Sequence, residues 1–315
     1  MLSEIGYVYW LLGRAPEAEQ HFLNALEIDP CHENSLINIT EMHLRAGRMV
    51  EADDYLDRLL LHYSDHATSH IANARKQFVT GDKESALSII TNVVEKWTSD
   101  ISIQLAAAKL LFQYQCYYDA VSLAERNIRS DNKHADFFEI WGKGLIEINN
   151  FEEADRVFSS MRHLYPNHVA PLCGLATVRM LVKDFRSAQA FLEQALEKHS
   201  EDAEVIQLYF LTLMSLNDWE KLASVSRPFL ERAGILVRPL VFHLIALGKL
   251  GRQDEAGEVL RYKLGQVRGG QTTVTKMVEK ITKKFDDGLS RSNIVDIKSL
   301  LVEDSLSIKS KEKNP

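Results

Sequence analysis

The chain has 315 residues, 45% of them hydrophobic and 26% charged, with Pro 7 and Gly 15. Scarce helix breakers and ordinary apolar content describe a mostly helical globular chain. The formal net charge is −7. From Gln271 onward nine Lys/Arg stand against seven Asp/Glu, or +2, which leaves −9 for the rest. That balance excludes general nucleic-acid binding, which needs a basic footprint to neutralise phosphates. No apolar run is long enough to span a membrane, so no membrane insertion is expected.

From the N-terminus onward a step of 34 residues organises the chain. Ala18, Ala52, Ala86, Ala120, Ala154, Ala188, Leu222 and Ala256 recur at that interval without a slip, the mark of a helix-turn-helix array. Four residues after each stand Phe22, Leu56, Ile90, Ala124, Phe158, Leu192, Ser226 and Leu260. Three further on stand Ala25, Leu59, Val93, Asn127, Met161, Ala195, Phe229 and Lys263. Spacings of four and seven put these columns on one face of a second helix. Twelve residues before each alanine lies a mostly small column on the first helix: Gly6, Thr40, Ala74, Ala108, Gly142, Ala176, Phe210 and Leu244. Five before it stand Gly13, Gly47, Gly81, Gln115, Asn149, Lys183, Asn217 and Gly251. Glycine and asparagine, at six of these eight sites, accept the left-handed conformation that ends a helix. The short link that follows forces antiparallel pairing.

The repeats run about 1–32, 33–66, 67–100, 101–134, 135–168, 169–202, 203–236 and 237–270. The first begins at Met1, already inside its first helix, with no polar capping helix before it. The expectation is that the reading frame is truncated there or that repeat one meets a partner. His62, His66 and His70 are spaced by four, but a repeat boundary falls at His66, so they read as solvated turn histidines rather than a metal face. Repeats four and seven are the most degenerate, with Ala124 and Asn127, then Leu222 and Ser226, departing from the usual types. Pro239 falls near the start of a first helix, where proline is tolerated. Beyond the repeats, Thr273 to Phe285 carries Val274, Met277, Val278, Ile281 and Phe285 on one stripe, which predicts a capping helix. A second helix is expected over about Ser292 to Leu306, so that 271–308 forms a C-terminal cap. A disordered tail is expected over 309–315.

These columns resemble the tetratricopeptide repeat. Gly6, Tyr9, Ala18, Phe22, Ala25 and Pro30 carry the likeness in repeat one, and Trp141, Gly142, Ala154, Phe158 and Pro166 in repeat five. It covers 1–270. The resemblance implies an all-α, right-handed α-solenoid of eight helix-turn-helix repeats, with first helices lining a concave groove that binds peptides, helices or whole proteins. One first-helix column facing that groove reads Tyr7, Glu41, Arg75, Lys109, Lys143, Thr177, Leu211 and Ile245. Arg75, Lys109 and Lys143 would form a row at roughly 10 Å steps, a basic ladder for an acidic segment of a protein or peptide partner. Leu211 and Ile245 would extend it for an amphipathic one. The plainer reading is solvated cations, partly balanced by Asp136, Glu139 and Glu147. A neighbouring column, Trp10, Leu44, Phe78, Phe112, Ile146, Met180 and Met214, serves either as core or as adaptable anchors. The lysine–asparagine clamp that some members use on a peptide carboxyl terminus is not matched: Asn38 fits, but Ile37 and Glu41 do not.

No catalytic motif is present. Gly142-Lys143-Gly144 has no preceding strand and no further glycine at phosphate-loop spacing, and neither HExxH nor GxSxG occurs. Cys31, Cys116 and Cys173 are far apart and form no CxxC pair, which points to reduced thiols in a cytoplasmic setting. The expected function is a non-enzymatic scaffold or adaptor without cofactor or metal. The alternative is a partner- or substrate-holding module of a larger enzyme system, such as a glycosyltransferase or polysaccharide-export assembly.

Overall fold

In a computed structural model of the chain, residues 1–130, 133–231, 237–264 and 270–286 are described. The second C-terminal helix and the tail expected beyond 286 lie outside these residues, as does the Phe285 side chain. All described regular structure is helical, and it divides into two compact units, Met1–Asn149 and Asn150–Pro315.

In the first unit the first helices are α1 (Leu2–Leu11), α3 (Glu33–Arg45), α5 (Ala67–Thr80), α7 (Ile101–Gln113) and α9 (Ala135–Glu147). The second helices are α2 (Ala15–Ile28), α4 (Met49–His62), α6 (Lys83–Lys96) and α8 (Tyr117–Arg129). Each second helix packs on its own first helix and on the next one, and α1, α3, α5, α7 and α9 also touch in succession. The unit is therefore a stack of helix pairs, closed up on its first-helix side. The second unit holds α10 (Phe151–Leu164), α11 (Ala170–Leu181), α12 (Phe185–Lys198), α13 (Ala203–Ser215), α14 (Trp219–Leu230), α15 (Val237–Lys249), α16 (Gln253–Leu264) and α17 (Gly270–Asp286). It repeats the same stacking, and α17 lies on α15 and α16. The division falls inside repeat five, between α9 and α10.

The columns explain the stack. Ala18, Ala52, Ala86, Ala120, Ala154, Ala188 and Leu222 are completely buried; Ala256 is only partly so. A small residue on the first helix makes room for a large one on the second. A Cβ at Gly6 would stand 2.8 Å from the Phe22 ring, and Phe22 is fully buried. In repeat seven the sizes are exchanged: Phe210 occupies the small column and Ser226 the large one, both buried. The degenerate positions are hydrogen-bonded rather than merely tolerated. The Ser226 hydroxyl donates to the Leu222 carbonyl at 2.6 Å and meets His243 Nδ1 at 2.9 Å. In repeat four Asn127 Nδ2 donates to the Leu123 carbonyl at 2.9 Å and lies 3.4 Å from Gln104 Oε1. Buried Gln104 in turn donates to the Val94 and Trp97 carbonyls. Buried polar groups persist only when so satisfied.

Helix ends follow local chemistry. Asp82, Asp100, Asn150, Asp184, Asp202 and Asp218 each accept a backbone N–H of the first turn they precede, the usual N-cap arrangement. At the link inside each pair one residue takes positive φ, and it does so at all eight repeats. Gly13, Gly47, Gly81 and Gly251 meet that demand freely, but Gln115 at φ 59° and Lys183 at φ 64° adopt it too. The fixed fold overrides their preference. The histidine series breaks where the repeat boundary predicts: α4 ends at His62 and His66 precedes α5, bonded to Glu33 at 3.0 Å.

Candidate functional site

The charged column of the first unit is built on the stacked first helices, where Arg75 and Lys109 reach across to neighbouring first helices. Arg75 on α5 crosses to α3, placing Nε 2.5 Å from Glu41 Oε2. Its Nη1 donates to Gln113 Oε1 on α7 at 3.0 Å. Glu41 also accepts from Arg45 Nε at 2.6 Å. Lys109 on α7 reaches Asp136, in the first turn of α9, at 2.6 Å. Lys143 pairs with Glu139 one turn back at 2.5 Å. The outcome is a strip of paired charges of both signs over α3, α5, α7 and α9. Each of the three cations has a carboxylate beside it, so the strip is not a bare basic ladder. Its accessibility is graded. Arg75 is held in, with 19% of its side chain exposed, whereas Lys109 is 57% exposed and Lys143 37%. Tyr7 on α1 is half-exposed on the same column.

The column does not continue as a surface in the second unit. Leu211 is 0% exposed and Ile245 2%, both within the core cluster that contains Met180, Met214 and Phe210. This corrects the expectation that they line a groove: the neighbouring first helices and their side chains cover them completely. Thr177 is half-buried and donates to the Cys173 carbonyl at 2.8 Å. The neighbouring column divides in the same way. Leu44, Ile146, Met180 and Met214 are core. Trp10, Phe78 and Phe112 are only partly buried, beside the charged strip. Phe78 stacks on Tyr114 at 4.7 Å between ring centres, and the Arg45 guanidinium lies 5.2 Å from the Trp10 ring centre. Arg45, Gln113 and Tyr114 are contributors that the column reading does not single out. The available signal was helical spacing: Arg45 lies four residues after Glu41, and Gln113 four after Lys109.

Nothing in the strip resembles a reaction centre. Among the described residues no group of three His, Cys, Asp or Glu is placed to hold a metal ion. Burial pushes the Cys116 thiol up from its ordinary pKa, which keeps it protonated and poorly nucleophilic. Among the described residues no helix is long and apolar enough to cross a membrane.

The stacked helix pairs define an α-solenoid repeat protein. A tetratricopeptide-repeat model matches residues 1–31, and a model of the coatomer epsilon subunit matches 144–232. No curated protein sequence matches the chain. Among solved structures, a tetratricopeptide repeat protein from Parabacteroides merdae aligns with 78% of this chain and 97% of its own, at 16% identity and TM-score 0.52. YrrB, a TPR protein with an unusual peptide-binding site, aligns with 59% of this chain and 95% of its own, at 14% identity and TM-score 0.40. PilF of Pseudomonas aeruginosa aligns with 62% and 89%, at 14% identity and TM-score 0.46. The chain has the fold of a tetratricopeptide-repeat array, and its first repeat is similar to that family.

Proposed function

We propose that this chain is a non-enzymatic protein-interaction scaffold, and that the first-helix strip of its first unit is where a polypeptide segment of the partner binds. The observation that carries the reading is the mixed-charge row Glu41–Arg75–Lys109–Asp136–Glu139–Lys143, spread over four successive first helices and flanked by partly exposed Trp10, Phe78 and Phe112. A row of ion pairs at a helix-stack surface exchanges partners readily, because each exposed pair is worth only about 0.2–1 kcal/mol. A uniformly acidic segment would have to displace three carboxylates. A segment of mixed charge instead offers acids to Lys109 and Lys143 and cations to Asp136 and Glu139. The aromatics supply apolar anchors beside those charges. A prebuilt surface keeps the ordering cost of binding low. The free thiols Cys31, Cys116 and Cys173 fit a reducing compartment such as the cytoplasm.

The test is affinity purification of polypeptides from the native source, comparing the wild-type chain with Lys109→Ala/Lys143→Ala. The double variant is expected to bind about two- to ten-fold more weakly, as loss of two exposed charge contacts implies, and with a smaller dependence on salt. Unchanged affinity and salt dependence would remove the strip from the account.

A further inference from the structure

Two aromatic pairs border the charged strip where α5 and α7 end. Phe78, near the end of α5, stacks on Tyr114, with ring centres 4.7 Å apart and planes 7° from parallel. Phe112, near the end of α7, meets Tyr117 edge-on at 5.4 Å. Phe78 and Phe112 are equivalents at the 34-residue step, and α5 packs on α7, so the two pairs stand one helix spacing apart, roughly 8–10 Å. Phe78, Phe112 and Tyr114 pack against the core cluster that holds Ala108 and Leu111, yet all four rings stay partly exposed. Hydrogen-bond donors stand beside them. Lys109, one turn before Phe112, is 57% exposed. Gln113 is exposed, and its Oε1 accepts from Arg75 Nη1 at 3.0 Å, which leaves the Nε2 hydrogens for another acceptor.

We infer that the partner segment on this strip is proline-rich and lies there as a polyproline II helix, with one proline on each aromatic pair and three residues from one to the next. The inference rests on the strip being the binding surface. Polyproline II turns once in three residues and rises about 3.1 Å per residue, so equivalent residues recur at about 9.3 Å. That is the spacing of the two pairs. Proline rings lie on partly exposed aromatic rings, the contact that aromatic-lined grooves make with such segments. Polyproline II has no internal hydrogen bonds, so its electron-rich carbonyls are free to accept from Lys109 Nζ and Gln113 Nε2. An α-helix satisfies its own carbonyls and calls for a broad apolar surface opposite its apolar stripe. Here the charged and amide side chains beside the rings interrupt any such surface. Charged residues flanking the prolines reach Asp136, Glu139 and Lys143 on α9, where the mixed-charge row continues. The segment is preformed in solution, so little freedom is lost on binding.

Fluorescence anisotropy of fluorescein-labelled decaproline, titrated with the full chain up to about 1 mM, tests this. Binding is expected with a Kd between about 10 and 500 µM. A glycine–serine peptide of the same length, and a helical peptide built from Glu-Ala-Ala-Ala-Lys units, are each expected to bind at least about ten-fold more weakly. Phe78→Leu and Phe112→Leu keep an apolar side chain over the core and are each expected to weaken decaproline binding by about two- to ten-fold. Tyr117→Leu on α8 is expected to act alike, which keeps the result readable if a phenylalanine variant fails to fold. Phe191→Leu, the same change at a partly exposed ring of the second unit, is expected to leave the affinity unchanged. Absence of decaproline binding overturns the inference. So does equal or tighter binding of either control peptide, full affinity in the variants at Phe78, Phe112 and Tyr117, or an equal loss in Phe191→Leu. The strip itself is judged separately, by partner capture with Lys109→Ala/Lys143→Ala: capture lost there, without decaproline binding to the wild type, sinks the proline reading alone.

Discussion

Replacing Lys183 by glycine is expected to make the protein more stable, although glycine weakens most helices. Lys183 sits at φ 64° in the link between α11 and α12, where its backbone N–H donates to the Met180 carbonyl at 3.0 Å. Its side chain is exposed, so truncation removes no packing. A residue with a Cβ gives up about 1–2 kcal/mol in the left-handed region. Glycine adopts it freely but adds about 0.4–1 kcal/mol of unfolded-state freedom. The balance is a stabilisation of about 0.5–1 kcal/mol. The mirror experiment is Gly81→Ala, at φ 87° with open space where its Cβ would go; it loses a comparable amount for the same conformational reason. Urea unfolding followed by circular dichroism reads both, as opposite shifts of the midpoint with unchanged slope. If Lys183→Gly lowered the midpoint by the amount typical of glycine inside a helix, about 1 kcal/mol, the link would not be left-handed there and the repeat register would be wrong.

Other consequences follow from the packing and the buried histidines. Gly6→Ala forces a methyl group against the Phe22 ring and is expected to cost about 1–3 kcal/mol, read by the same unfolding assay. Asn127→Ala breaks the hydrogen bonds around buried Gln104 and is expected to cost about 1–3 kcal/mol, whereas the same change at exposed Asn92 leaves the midpoint within about 0.5 kcal/mol. His43 and His243 both have their pKa lowered, chiefly by burial. The fold thus holds them neutral, while the unfolded chain takes up protons near pH 6.5. Their contribution is complete above about pH 6.5 and is lost as the pH falls below it. His43→Gln/His243→Gln is expected to flatten that acid limb, as followed by the urea midpoint between about pH 5 and 8.

The stack was legible because each repeat asks the same thing of the same position. The alanine column and the small column are consequences of close helix approach, and the glycine column of a link that must turn. Gln115 and Lys183 show the limit: no preference of their own signals a left-handed residue, and only their register does. The cation column was legible as a column but not as a set of pairs. Arg75 reaches Glu41 one full repeat back, and Lys109 reaches Asp136 27 residues on, so the partners become neighbours only once first helices stack. Leu211 and Ile245 follow the same step of 34, yet their exposure depends on what the neighbouring helices place over them. The change of residue type at those two positions, from charged to apolar, was itself the sign of burial.

The central claim, that a partner polypeptide lies on the charged first-helix strip of the first unit, is tested most directly by site-specific photo-crosslinking in the native source. A photoreactive phenylalanine at Lys109 or Lys143 is expected to yield discrete polypeptide adducts, and one at Ser122, exposed on the second helix α8, none. Adducts of equal yield at all three positions, or adducts at Ser122 alone, would contradict the account.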